Sequence, residues 1–300
     1  MNTVPRLAPD LAVPTRGSPL KRAALALYGA FDAAYVRVLG RPALQKLNLR
    51  LLQTTLRARG YNNLADHRQS GEEWFIRHLA RLRPRLCLDV GANVGQYSAK
   101  LLAVTDAEVW AFEPMPRSFR RLAELGERWR GRFHALECAV GATDGEARIR
   151  YGAEDSQLAS LAEHVGEVDY VGRSNVNEAW VRVRRLDGLV ASGDLPIAGR
   201  EIDLLKIDTE GYELEVLAGA SDTLANLRPK FVQLEFNWHQ LFCGQSLWRF
   251  STLLPGYRPY QLLPNGTGWH AVDPRASVAN VYCFANFVFV RDDVALEPGA

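Results

Sequence analysis

Three hundred residues with 47% hydrophobic content are enough to bury one large α/β core, and they exclude a chain too polar to fold. The net charge of +2 excludes a broadly basic nucleic-acid binder, yet the charge is uneven: residues 1–60 hold ten Lys or Arg against two Asp, a net +8, leaving −6 elsewhere. Cys87, Cys138, Cys243 and Cys283 show no CxxC spacing, so neither a zinc site nor a disulfide framework is expected, and the thiols read as reduced and cytoplasmic.

Residues 1–19, with Pro5, Pro9, Pro14 and Pro19, read as a flexible leader. The apolar run that follows lacks a small-x-small cleavage site, and Asp32 interrupts its best stretch, Ala23 to Val36. It falls short of the roughly 18 apolar residues of a membrane span and of a secretory signal. Residues 20–69 form a predicted helical arm, broken near Gly40-Arg-Pro42, whose second helix sets Leu47, Leu51 and Leu52 against Lys46, Arg50 and Arg57. Such an arm either packs on the following domain as a lid or flank, or docks on a membrane surface. Ser70 and Glu73 have capping-box spacing at the start of a helix carrying Trp74, Phe75, His78, Leu79 and Leu82 at helical period up to Pro84, with His78 a packed side chain.

The apolar strand in Leu86-Cys-Leu-Asp-Val-Gly-Ala-Asn-Val-Gly-Gln-Tyr-Ser98 opens into a loop with Gly91 and Gly95. Gly91 permits a sharp turn that brings backbone N–H groups near a ligand, and Gly95 lets the next helix start close to the strand, its N-terminus free for an anion. A dinucleotide fingerprint needs glycine where Asn93 and Gln96 stand, so the pattern favours a single-nucleoside cofactor over a nicotinamide one. Glu108 to Phe112 is the second strand, and Glu113 at its tip, 22 positions after Gly91, is placed to accept from both ribose hydroxyls.

Phe133 to Val140 is a predicted third strand, with Asp144-Gly145 a hairpin turn into Ala147 to Tyr151. Residues 152–180 are irregular and polar, as an active-site loop would be, and Val181 to Leu186 alternates again. A buried strand from Asp203 to Ile207 delivers Asp208, a helix follows from near Gly211, and further strands are predicted at Phe231–Phe236, Tyr257–Leu263 and Val281–Val290, with Pro264-Asn-Gly-Thr267 a turn. Asn265-Gly-Thr267 also fits a glycosylation sequon, but the turn reading is preferred.

Asp89-Val-Gly-Ala-Asn-Val-Gly95, Phe112-Glu-Pro114 and Ile202-Asp-Leu-Leu-Lys-Ile-Asp-Thr-Glu-Gly-Tyr-Glu213 together resemble the FkbM family of S-adenosylmethionine-dependent methyltransferases. Ala139-Val-Gly141 with Asp144-Gly145, Ser160-Leu161, Leu186-Asp187 and Leu217-Ala-Gly-Ala220 echo it, so that the resemblance covers roughly residues 70 to 240. Tyr212 stands where the family would carry a small residue or histidine. The resemblance implies a Rossmann-like class I methyltransferase fold over residues 70–300, with a mostly parallel seven-stranded sheet and helices on both faces. It also implies S-adenosyl-L-methionine as cofactor and O-methylation, often of sugar hydroxyls in glycans, glycolipids or natural products.

On that reading the loop from Gly91 through Asn93 to Gly95 receives the methionyl carboxylate, Asp89 the ammonium and Glu113 the ribose. Glu137, Cys138 and Ala139 lie along adenine, where Glu137 either accepts the exocyclic amine or is a surface acid. An alcohol acceptor needs a base within hydrogen-bond reach. Asp208 is the first choice, Glu210 holds substrate or completes a carboxylate pair, and Glu235 and His239 follow at the next strand end. A rival route has Asp208, Glu210 and Glu235 hold magnesium, but the metal-free version is expected. Trp238, Trp248, Tyr257, Tyr260, Trp269 and His270 offer faces for a sugar ring or simply pack the core. Competing functions are a nucleic-acid-directed methyltransferase using the basic arm and a cofactor-binding module without turnover.

Overall fold

The computed structural model describes residues 19–63, 69–153 and 157–296, so the leader lies outside it apart from Pro19. Helices α1 (Pro19–Leu39) and α2 (Gln45–Ala58) meet at a bend of 100°. Pro42 opens the single 3-10 turn between them, Tyr35 donates to Asn48 Oδ1 at 2.9 Å, and Asn48 donates onward to the Leu39 carbonyl at 2.8 Å. Neither helix alone is long and apolar enough to cross a membrane. The arm is fixed at its far end, where Gly60 approaches Leu262 so closely that a Cβ would stand 2.3 Å from the Leu262 carbonyl oxygen, and Tyr61 is fully buried.

Helix α3 (Glu72–Arg81) differs at its start from the predicted capping box. Gly71, at φ +83°, precedes the helix; Ser70 donates to Glu72 at 3.2 Å, and Glu73 pairs with Arg77 instead. Its buried face is Phe75, Ile76 and Leu79, and His78 stacks on Trp74, as expected of a packed side chain.

The central elements are β1 (Leu86–Val90), α4 (Gln96–Val104), β2 (Glu108–Phe112), α5 (Pro116–Arg128), β3 (Phe133–Leu136), β4 (Ala139–Val140), β5 (Gly145–Tyr151), α6 (Asp169–Ser174), β6 (Asn177–Arg184), α7 (Leu186–Ser192), β7 (Leu204–Ile207) and α8 (Glu213–Ala218). They continue as β8 (Phe231–Phe236), α9 (His239–Phe242), α10 (Leu247–Leu253), β9 (Tyr257–Leu262), β10 (Trp269–Ala271) and β11 (Ala285–Arg291). The main sheet has eight strands where seven were expected, in the order β10-β9-β11-β8-β7-β1-β2-β3, with β3, β2, β1, β7 and β8 parallel. The inner parallel strands show no alternation of burial because both faces are covered: α3, α4 and α5 pack on one, α7, α8 and α10 on the other.

The predicted strand Phe133–Val140 is two strands in different sheets. The chain breaks at Glu137-Cys138, and β4 joins a three-stranded sheet ordered β4-β6-β5. Asp144-Gly145 is therefore no hairpin turn, since β4 and β5 both pair with the distant β6, and Asp144 instead accepts from the Arg185 N–H at 2.8 Å. Strand order reverses between β1 and β7, so their carboxyl tips form the crevice in which an open α/β sheet binds its ligand.

Candidate active site

The β1 tip and the β7 tip touch at Gly91. At φ +79° a Cβ there would lie 1.9 Å from the Asp208 carbonyl oxygen, so only glycine allows this approach. The loop amides are turned inward rather than toward a ligand: Gly91 and Ala92 both donate to the Phe112 carbonyl at 3.0 Å, Asn93 to Glu113 at 2.9 Å, Val94 to Asn93 Oδ1 at 2.7 Å and Gly95 to the Ala92 carbonyl at 2.8 Å. Only the start of α4, with Gln96 and Tyr97 lining the cleft, remains of the predicted carboxylate receptor. Gly95 serves packing, since a Cβ there would meet Leu125 at 2.5 Å and Leu122 at 2.7 Å.

Two adjoining cavities open at these tips. The narrow one is walled by Gly91, Glu113, Ala139, Ile149, Leu161 and Tyr212. The wide one, about 480 Å³, is bordered by Asn93, Gln96, Tyr97, Lys206, Asp208, Glu210, Glu235 and Trp238. Glu113 is 5% exposed and spans the Asn93 and Met115 amides, and burial pushes its carboxyl up to about 7 against those two bonds. An acid so held at the mouth of an apolar slot fits a ribose diol, and Ala139, Ile149 and Leu161 offer a purine its flat walls. Tyr212 lines this slot and not the wide cleft.

Three sequence-predicted cofactor residues are elsewhere. Glu137 is exposed and borders neither cavity, which leaves the surface-acid reading. Cys138 is buried in the core between the sheet and α7. Asp89 is 1% exposed beneath the floor, accepting from Ser98 Oγ at 2.6 Å. It reaches the cleft only through Lys206, whose ammonium lies 3.7 Å from Asp89, 2.9 Å from Asp208 and over the Tyr97 ring at 4.9 Å.

Lys206 had no role in the sequence reading. Asp89, Lys206 and Gln233 stand side by side across β1, β7 and β8, forming a buried polar row on the α3–α4 side that Tyr97 and Glu72 complete through hydrogen bonds to Gln233. Burial alone would depress the Lys206 ammonium, but the Asp208, Asp89 and Glu72 carboxylates outweigh it and raise it. The one sequence signal was a lone lysine in an otherwise apolar strand.

The four candidate catalytic residues do come together, in two layers. Asp208, Glu210 and Glu235 converge with carboxylate oxygens within 4.8 Å of one another, an oxygen set of the kind that holds a divalent cation. His239 is behind them: its Nδ1 is 2.8 Å from Glu210 and its Nε2 is 2.9 Å from the Tyr170 hydroxyl, which accepts from Trp238 Nε1 at 2.6 Å. His239 is 1% exposed, with one ring nitrogen against Glu210 and the other against the Tyr170 hydroxyl. Burial, then the charges of Asp208 and Glu210, push the Glu235 carboxyl well above its ordinary value; burial also raises Glu210, partly offset by His239.

Glu210 sits at φ +54°, an uncommon backbone for a residue with a Cβ. The surrounding loop holds it there: Ser160 donates to its carbonyl at 2.7 Å, and the fully buried Glu213 accepts from Thr209 and Gly211 amides, both at 3.1 Å. Of Trp238, Trp248, Tyr257, Tyr260, Trp269 and His270, Trp238 alone borders the cleft. Trp269 and Tyr260 pack around α3, Tyr257 bonds the Pro229 carbonyl, and Trp248 is exposed on α10. Tyr170, from the irregular segment, carried no sequence signal.

Residues 89–251 match the family model of the methyltransferase FkbM domain. The chain belongs to that family. It is 31% identical over 146 residues to the hexuronic acid methyltransferase AglP of Haloferax volcanii, covering 49% of this chain and 54% of that protein. It is 29% identical over 195 residues to the 2-O-methyltransferase NoeI of Sinorhizobium fredii, 60% of this chain and 74% of that one, and 28% identical over 169 residues to the 31-O-demethyl-FK506 methyltransferase FkbM of Streptomyces tacrolimicus, 49% and 64% respectively. The match thus spans about half the length of the first of these relatives. Its mostly parallel α/β sheet therefore carries a methyltransferase FkbM domain.

Proposed function

We propose that this chain is an S-adenosylmethionine-dependent methyltransferase that alkylates a hydroxyl of a saccharide, carried on a glycan, a glycolipid or a natural product. The observation that carries the reading is the wide cleft: Asn63, Ser70, Gln157 and Asn237 are polar residues in its wall, Trp238 and Tyr170 supply aromatic faces, and three carboxylates converge on its floor. Sugar rings take both kinds of contact. A floor of carboxylates repels phosphodiesters, which disfavours nucleic acid. The name of AglP, a hexuronic acid methyltransferase, agrees with a saccharide acceptor, and that of NoeI, a 2-O-methyltransferase, with methylation on oxygen. All four cysteines are free thiols, which supports a reducing, cytoplasmic setting.

The cofactor, when bound, supplies a methyl group on a positively charged sulfur, an electrophile that needs an aligned oxygen and a route for one proton. Glu113 and the start of α4 orient it from the sheet side, and Trp238 and Tyr170 with the polar rim hold the sugar opposite. Lys206 already balances Asp208, so the proton of the acceptor hydroxyl goes to Glu235, the carboxylate whose surroundings most favour a proton. Glu210, held by His239, orients the hydroxyl.

The test is incubation with methyl-labelled cofactor and fractionated extract, followed by glycan, lipid and RNA separation. Alkali-stable label in a saccharide is expected, as an ether requires; label in RNA alone, or an alkali-labile ester, overturns the reading. Glu235→Gln is expected to slow turnover by about two to four powers of ten while S-adenosylhomocysteine still binds.

A further inference from the structure

Helices α3, α4, α5, α7, α8 and α10 each bury a face against the main sheet, whereas α1 and α2 meet the core, among their described side chains, only through the partly buried Leu56. On α1, Leu27 is 73% exposed, Tyr28 67% and Phe31 65%; on α2, Leu49 and Leu52 are 55% and 54% exposed, and no residue of α2 is buried. A helix apolar on nearly all sides, as α1 is between Ala23 and Leu39, is stable only when something covers it. The same pair carries Arg22, Arg37, Arg41, Lys46, Arg50 and Arg57 against the single acid Asp32.

We propose that this bent helix pair is a docking surface for an anionic lipid bilayer. A second copy of the chain would also cover the leucines, but a self-complementary contact would press two strongly cationic arms together. An anionic lipid surface takes the apolar side chains into its acyl boundary and the cations at its headgroups. Neither helix alone is long and apolar enough to cross; the pair together has the length and composition of a broken span, but its 100° bend and its six cations lay it in the interface. The arm has the geometry of a fixed platform: the 100° corner is closed by Tyr35 and Asn48, and the far end is anchored by Tyr61 and by the Asn62 amide, which donates to the Phe284 carbonyl at 2.8 Å. Asn63 and Phe284 also border the wide cleft, so docking sets the cleft mouth beside the membrane.

The experiment is sedimentation of the full chain with vesicles of phosphatidylcholine alone and of phosphatidylcholine mixed with phosphatidylglycerol. Binding to the mixed vesicles only, weakened by salt, is expected. The triple charge reversal Lys46→Glu, Arg50→Glu, Arg57→Glu should lower the partition coefficient on the order of 100-fold, and Leu27→Ser with Phe31→Ser and Leu52→Ser should abolish binding at low salt. These side chains are exposed, so S-adenosylhomocysteine binding in both variants must stay at the wild-type value. No binding by the wild-type chain, equal binding to neutral vesicles, or concentration-dependent dimerisation that the apolar triple variant abolishes would each overturn the proposal. None of these outcomes depends on the acceptor being a sugar.

Discussion

Replacing Lys206 with methionine keeps the length of the side chain and removes its charge from the polar row beneath the cleft. Asp89 is 1% exposed and Lys206 5%, so solvent offers that pair almost no relief, whereas the Asp208 side chain, 29% exposed, recovers part of its hydration. Breaking a buried ion pair by deleting one partner costs about 3–5 kcal/mol, and the partly wet Asp208 places this case near the lower figure. The pH dependence follows from sign. The raised pKa of Lys206 means that its contribution is complete below the unfolded lysine value, near 10.4, so the ammonium does not titrate in the neutral range. Asp89, already raised by burial and opposed chiefly by Lys206, rises further in the variant, and a protonated carboxyl needs no counter-ion. Urea unfolding of wild type and Lys206→Met should therefore differ by about 3 kcal/mol near pH 8 and by clearly less near pH 5. A loss under about 1 kcal/mol near pH 8, or an equal loss at both pH values, would refute the account of the row.

Gly91→Ala should destroy cofactor binding and cost several kcal/mol of stability, because the new Cβ faces a backbone carbonyl 1.9 Å away that belongs to the Asp208 loop and has no rotamer by which to yield; a fully folded, cofactor-binding variant in thermal unfolding and calorimetry would contradict this. The Glu113 carboxyl, raised from 4.5 to about 7, contributes stability below its unfolded value that is lost as pH rises through about 7. Ribose hydroxyls donate to the ionised form, so S-adenosylhomocysteine binding should tighten with pH across about 6 to 8 and release a proton, visible in calorimetry as a dependence on buffer ionisation heat. Glu113→Ala should lose about 1–3 kcal/mol of affinity together with that dependence, and a wild-type affinity independent of pH is the contrary result. Turnover should survive EDTA, since Lys206 already balances Asp208 and His239 already holds Glu210; restoration of a lost activity by magnesium alone would make Asp208, Glu210 and Glu235 metal ligands.

What was legible in the sequence was local. Strand β8 matches its sequence reading, Phe231 to Phe236, to the residue, because its apolar positions cluster between Lys230 and Asn237. Glu113 and Asp208 were legible for a related reason: each is the first residue after a buried strand, and Glu235 is one position before the end of β8, and in a parallel sheet the carboxyl ends are where ligands bind. Failures came from partners distant along the chain. Nothing local marks the passage from β3 into a second sheet at Glu137-Cys138, and Asp144-Gly145 has the composition of a hairpin but a neighbour, β6, more than thirty residues on. Gly95 was assigned to a ligand because its contact with Leu122 and Leu125 of α5 is a matter of helix packing. Lys206 escaped for the same reason as Gln233: each is a single polar residue in an apolar strand, and only their register with Asp89 makes them a row.

The placement of His239 bears on how acid-rich the cleft is allowed to be. Asp208, Glu210 and Glu235 face one another within 4.8 Å, which as three free anions would be strongly repulsive in so buried a place. The protein counters each in a different way: an ammonium for Asp208, an imidazole for Glu210, and for Glu235 only the Asn237 amide at 2.7 Å. The least compensated carboxylate is therefore the one that must take up positive charge from elsewhere, as a proton or from a cationic ligand nearby. Bringing a positively charged cofactor to this cleft lowers the cost of ionising Glu235 at the moment a hydroxyl proton needs an acceptor, whereas the demethylated product, having lost that charge, no longer does so. On the proposed assignment of Glu235, the floor would favour the charged cofactor over its demethylated product. Replacing Glu235 by Gln should shrink that preference, narrowing the ratio of S-adenosylmethionine to S-adenosylhomocysteine affinity measured by calorimetry, and an unchanged ratio would show that Glu235 does not sense the cofactor's charge.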